Sequence, residues 1–429
     1  MSEPQTLAAP RKGRLFYGWI IMAISWCIYL MFPAPAYYGI NVVSTGYVTM
    51  RGWDSSVIGL AVSVHSLSAA IAAVPIGALY QKKGARFSLA LCGGLSALCY
   101  LILATLNVSA GLYPLLFLGV GIGSSCALLA SSSLVNAWFD KNKSLPTAVL
   151  TTAGALGGFL YPLLAERISR RNVTGSWLLF FCLAALALTV TLLFAKGKPS
   201  DIGEVRDGRA WRERHGIPFD AADSGVAEGL TVREASRSRQ FYFLGILVFG
   251  YGIMFSGFTS YASLCAIRHG ISAAGAAGIL SCYSITSLGG RILTGAVDKL
   301  GIRKKYVSLL EYAVTAAGMA ILAFASAPLH FYLAAVLCGF GAGIHATVFA
   351  LLIPEYFGNR SFSVLYGAFN TVSNIGSTLA PLAVYALATA TGSFRVPYLI
   401  ISVYLLVCTG ISLLMKPWQG NGAGSAAAE

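Results

Sequence analysis

The sequence predicts an all-α polytopic membrane protein, with twelve transmembrane helices in two pseudo-symmetric six-helix bundles. Three observations lead there. The 429 residues are 56% hydrophobic and only 11% charged, with mean hydropathy +0.71, whereas soluble chains carry about 25% charged residues. Apolar runs near the roughly 20 residues that a bilayer requires recur along the chain. The second half repeats landmarks of the first.

In order, the apolar segments fall at about 15–42, 55–79, 88–106, 112–138, 145–165, 176–195, 240–264, 273–296, 306–326, 329–353, 363–388 and 394–415. The opening MSEPQTLAAPRKGR is polar and lacks a cleavage signature, so a cleaved signal peptide is not expected. Periodicity adds little, because helices enclosed by lipid and protein are apolar all round. The long polar stretch at 196–239 divides the chain into an N-terminal six-helix bundle (1–195), a central linker, and a C-terminal bundle with a short tail (240–429). The linker carries charge of both signs and reads as a solvated surface with room for a short amphipathic helix.

Net charge of +14 does not point to nucleic acid, since the basic residues are scattered through short loops. With the N-terminus inside, inner segments hold 23 of the 30 Lys and Arg and outer loops hold six; the cluster at Arg167, Arg170 and Arg171 runs against this and is outweighed. Both termini and the linker are therefore expected to be cytoplasmic. The nine cysteines lie inside apolar runs without a CxxC pair, so they read as packing residues.

The repeats pair RLFY at 14–17 with RQFY at 239–242, and GALYQKKGAR at 77–86 with GAVDKLGIR at 295–303. GVGIG at 119–123 pairs with GFGAG at 339–343, and WFDKNKS at 138–144 with YFGNRSF at 356–362. Parallel repeats of this kind suggest duplicated bundles around a central pathway. GVGIG follows no strand and sits mid-membrane, so it is no nucleotide loop.

At these residues the chain resembles the major facilitator superfamily. That family's loop after the second span carries G-x-x-x-D-x-x-G-x-R, echoed after the eighth. The second copy here has Gly295, Asp298, Gly301 and Arg303, one residue short before the Asp; the first has Gly77, Gly84 and Arg86, with Gln81 in place of the Asp. The resemblance implies a cytoplasmic gate built on these residues, leaning on the C-terminal copy. Within the superfamily, the chain is most similar to the monocarboxylate and oxalate–formate porter group. FYGW at 16–19, the pattern of Asn136, Trp138, Phe139, Ala148, Ala153 and Gly154, Arg291 four residues before Gly295, and Tyr366-Gly367 carry that likeness.

Departures from the group narrow the expectation. Ser373 stands where oxalate porters place a Lys, Ala34 follows Phe32-Pro33 where monocarboxylate porters often have one, and Ser287 replaces a frequent Asp. Arg291 is then the one Lys or Arg inside a span, and a charge there marks a binding site by default. A single guanidinium suits a single carboxylate, held bidentately.

Around it, His65 and His345 could line the pathway or titrate, although a lone histidine is more often a packed, hydrogen-bonded one. Tyr37 and Tyr283 could offer hydroxyls, Tyr283 lying two helical turns from Arg291. Asn370, Ser373, Asn374 and Ser377 form a polar stripe in the eleventh span, with Asn374 the expected ligand and interhelical glue the competing reading. Ser124, Ser125 and 131–133 are read as close-packing residues. No acid is central to a span; Glu311 and Glu166 come nearest, each close to a helix end.

No catalytic or metal constellation appears, so neither an enzyme nor a cofactor is expected. The sequence points to a secondary transporter moving a small organic monocarboxylate by alternating access, coupled to protons carried by the substrate or a histidine. Carboxylate exchange is the alternative. A drug pump would want an acidic residue in the N-terminal bundle, and a sugar porter paired Gln, Asn and Trp in the later spans. The expected partners are the carboxylate, protons and the lipid bilayer, and the expected state is a monomer in a bacterial inner membrane.

Overall fold

The computed structural model describes residues 16–39, 43, 47, 51–169, 172–208, 212–213 and 229–417. Helix α1, Tyr17–Met31, ends where Phe32-Pro33 interrupts the chain, and a wider π turn, Pro35–Gly39, follows. A long helical run, Ser55–Ser88, breaks at Gly84, whose φ of +77° is open to glycine. The break separates α2 (55–83) from α3 (85–105), which continues through Leu89–Gly93 and Gly94–Thr105. The N-terminal half closes with α4 (Leu112–Trp138), α5 (Ser144–Ser169) and α6 (Val173–Phe194), the last capped by the Asn172 side chain. The C-terminal half holds α7 (Arg239–Arg268), α8 (Ala273–Ala296), α9 (Lys304–Ala323), α10 (Pro328–Phe357), α11 (Phe362–Thr391) and α12 (Arg395–Leu414).

Among the described residues, nine helical stretches are long and apolar enough to cross a membrane, and one of them, Val57–Thr105, has 49 residues, enough for two crossings. With α5 (26 residues) and α8 (24 residues) the set fits twelve spans. Leu67, Ile71, Phe159, Ile292 and Leu382 point outward, each more than half exposed; such an apolar rim needs lipid around it.

Small residues let the helices approach. A Cβ at Gly290 of α8 would lie 2.7 Å from the Ile344 nitrogen of α10, and Gly339 and Gly343 of α10 sit against the backbone of Tyr283 and Ser287. The halves meet along α2–α11 and α5–α8. Their side-chain contacts gather toward the end carrying the Gly84, Gly301 and Gly358 turns, here called the linker end. The deepest are Thr371 Oγ1 to the Ala70 carbonyl and Thr151 Oγ1 to Thr347 Oγ1, 2.6 and 2.9 Å.

Two expectations are corrected. The linker is packed rather than purely solvated: Asp207 and Arg212 are 5% and 4% exposed. The Asp207 carboxylate accepts from the backbone N–H groups of Asp140, Lys141 and Asn142, at 2.8–3.4 Å. At the other end, Leu230 pairs with Phe357 before the short helix Val232–Arg237, whose start is a Thr231/Glu234 capping box. Second, Glu311 is no fringe acid. It lies well inside α9 and is 1% exposed, because α10 and α12 both pack over that face. The side chain of Glu166 lies outside the described residues.

Candidate functional site

Arg291 sits in the last third of α8, 9% exposed. Its Nη1 donates to Ser287 Oγ, one turn earlier, at 3.0 Å, and its Nε has no partner among the described residues. No carboxylate pairs with it among those residues. Ser287, where relatives often place an Asp, therefore supplies a neutral contact, and no carboxylate touches the guanidinium among the described residues. A buried cation with an open donor can hold an anion through charge-assisted hydrogen bonds.

His345 on α10 is 6% exposed, and its Nδ1 lies 2.7 Å from Glu311 Oε1. Tyr251 of α7 stacks on the imidazole, ring centroids 3.4 Å apart and planes within 9°. Sequence reading missed this pair because 34 residues separate its members. A helical-wheel pairing of the ninth and tenth spans could have found it.

His65 belongs to the other half. Its Nε2 meets Ser124 Oγ at 3.0 Å, and Tyr37 approaches its ring edge-on at 5.3 Å, from the π turn after α1. Ser124 is thus a histidine partner as well as a packing residue. Tyr283 is buried and stacks on Phe258 of α7, ring centroids 5.1 Å apart. The eleventh-span stripe divides: Ser377 donates to the Gly252 carbonyl and the Ser373 backbone abuts Gly252, so these two serve as interhelical contacts. Asn374 keeps a buried Nδ2 with no hydrogen-bond partner among the described residues.

The linker end brings the repeat-loop residues together with partners the motif does not specify. Asp298 Oδ2 accepts from the Ser144 backbone N–H at 2.8 Å, capping α5 of the opposite half. Lys304, not the exposed Arg303, bridges Asp298 (3.8 Å) and Glu355 (3.3 Å). Gln81, where an Asp was expected, donates to the Arg360 carbonyl at 2.8 Å and so still reaches across to the other half. Arg86 stays within its own half, donating to the Ala195 carbonyl that ends α6. Gly77 lies against Ser363 and Val364 of α11, Gly295 against Ala148 of α5, and Gly84 and Gly301 take positive φ in the turns.

Lys143, 5% exposed, donates to Asn359 Oδ1 across the halves and pairs with Asp140 at 3.6 Å. Burial pushes its ammonium down to about 8; Arg206 and Lys304 add to that, against the pull of Asp140 and Asp207. Burial works to raise the less enclosed Asp140 carboxyl, but Lys143, Arg206, Lys141 and Arg212 outweigh it and hold it below its ordinary value. Asp207 goes the other way, lifted by burial despite the backbone N–H groups it accepts from.

The sequence profile of the major facilitator superfamily matches residues 14–381 and 297–422. A curated relative is the MFS transporter asaE of Aspergillus flavus, 22% identical over 95% of this chain and 91% of its own length. It is fungal, so the expected bacterial membrane finds no support. Among solved structures, the Escherichia coli fucose:proton symporter FucP superposes with TM-score 0.71 at 15% identity, covering 92% of this chain and 98% of that one. The human organic anion transporter MFSD10 gives 0.70 at 16%, covering 92% and 98%. These likenesses show the fold alone, and neither the monocarboxylate nor the oxalate–formate group is singled out by them. The profile spans nearly the whole chain: this is a multi-pass membrane transporter of the major facilitator superfamily and not an enzyme.

Proposed function

We propose that the chain carries a small organic monocarboxylate by alternating access, with Arg291 as the carboxylate ligand. The observation that carries this reading is the buried guanidinium with no acidic partner and an open Nε among the described residues. Asn374, Tyr283, Tyr37, His65 and His345 are the proposed supporting contacts around the pathway. With the linker end cytoplasmic, as the Lys and Arg count suggests, the seam described above is the closed cytoplasmic gate and the conformation is outward-facing. Gly77, Gly84, Arg86, Gly295, Asp298, Gly301 and Arg303 belong to that gate.

Bringing one negative charge inward against a potential negative inside costs about 2.3 kcal/mol per 100 mV, a cost that proton symport cancels. The test is a thermal-shift screen of the purified protein against mono- and dicarboxylates, followed by uptake of the best ligand. Arg291→Ala should weaken it by about 2–5 kcal/mol, roughly 30-fold or more. Arg291→Lys should retain part of the loss, since the ammonium keeps charge without the planar fork. Undiminished uptake by Arg291→Ala removes the site, and stabilisation by cationic drugs alone removes the substrate class.

A further inference from the structure

Glu311 and His345 are the best-buried ionisable pair among the described residues, and the Arg291 site does not use Glu311. Their contact is short, 2.7 Å between Nδ1 and Oε1. Tyr251 on one side, and Phe349 with its ring parallel at 5.7 Å, fix the imidazole plane so that Nδ1 meets the carboxyl. Tyr312 of α9 and Cys408 of α12 lie alongside Glu311, and Tyr404 of α12 stands near Tyr312. No Lys or Arg pairs with Glu311 among the described residues.

Such a pair has few protonation states. Without a proton it is Glu⁻ with neutral His, a net −1. With one shared proton it is neutral, whichever atom holds it. A second proton makes it +1. An uncompensated charge in this surrounding is expensive. A fixed positive charge stands on the same α8–α10 seam: a Cβ at Gly290 would touch the Ile344 backbone, so Arg291 and His345, the next residue on each helix, lie at about the same depth.

We propose that Glu311 and His345 together are the proton-binding site of this carrier, with Arg291 as its charge counterweight. The coupling half of this statement rests on the carboxylate reading above. A proton from water joins the deprotonated pair between Oε1 and Nδ1 and leaves to water on the opposite side; no other bond changes. The empty carrier then holds Arg291⁺ against the −1 pair, net zero. The loaded carrier holds substrate carboxylate against Arg291⁺, with the pair neutralised by its proton, again net zero. Carboxylate alone gives −1 and proton alone gives +1, so the halves rock freely only in matched states. One-to-one symport follows, and the empty carrier returns without an exposed cation.

Two measurements on the full chain test this. Infrared difference titration of the purified protein should show one buried carboxyl C=O band changing with pH, lost in Glu311→Gln and shifted in His345→Gln. In proteoliposomes with labelled L-lactate, an inward gradient of one pH unit should drive up to about tenfold accumulation by the wild type. Glu311→Gln should accumulate none while its lactate–lactate exchange stays within about twofold of wild type, because a permanently neutral pair mimics the protonated one. A carboxyl band unchanged by Glu311→Gln, or gradient-driven accumulation that survives it, overturns the proposal. If the wild type neither binds nor moves any monocarboxylate, the functional reading fails separately, and the infrared titration decides the proton site alone.

Discussion

Replacing Gly77 with alanine should open the linker-end seam. A Cβ at that position would lie 2.5 Å from the Ser363 carbonyl oxygen and 2.9 Å from the Val364 Cα, both backbone atoms that no rotamer change can move aside. Ordinary carbon contacts sit near 3.5 Å, so α2 and α11 must part by about 1 Å. Overpacking of this kind costs about 1–3 kcal/mol. Since the strain exists only while the seam is shut, it shifts the closed-to-open ratio by roughly 5- to 150-fold. Hydrogen–deuterium exchange of the purified protein reads this directly, as faster exchange in peptides covering 77–86 and 358–367. Gly59→Ala is the control, on the same helix with nothing within 4 Å of the added methyl. Unchanged exchange in Gly77→Ala, or equal acceleration in Gly59→Ala, would refute the argument.

Asp298→Ala removes the cap from α5 and one arm of the Lys304 bridge; a loss of about 0.5–2 kcal/mol is expected for the cap, seen as faster exchange of the 144–148 amides with little change at Arg86. Lys143 supplies a pH test. Its folded value of about 8 lies below the ordinary 10.5, so the unfolded chain binds the extra proton in between, and stability should rise as pH climbs from about 8 to 10.5. Thermal melts across that window should show an upward slope in the wild type that Lys143→Met flattens.

Much of the fold was legible because its signal is local. Span lengths follow from the bilayer, and the turns at Gly84 and Gly301 were marked by their repeats. What escaped depends on which faces meet. Glu311 looked peripheral because its position in sequence says nothing of α10 and α12 closing over it. Gln81 looked like a lost latch, yet an amide donor reaches the Arg360 carbonyl as well as a carboxylate reaches an N–H. Asp207 looked solvated, since nothing in a mixed-charge stretch distinguishes the residue that docks from those that do not.

The linker's two anchors have a mechanical consequence. Asp207 fastens one end to the α4–α5 turn and Leu230 fastens the other to the α10–α11 turn, so each half carries its own stub. The first stub runs on through Arg212, which is 4% exposed, and the 230 − 212 = 18 residue steps from there to Leu230 can reach at most roughly 60 Å. A connection of that length sets no limit to a separation of the turns by a few ångströms. A domain inserted within 214–228 should therefore leave turnover unchanged.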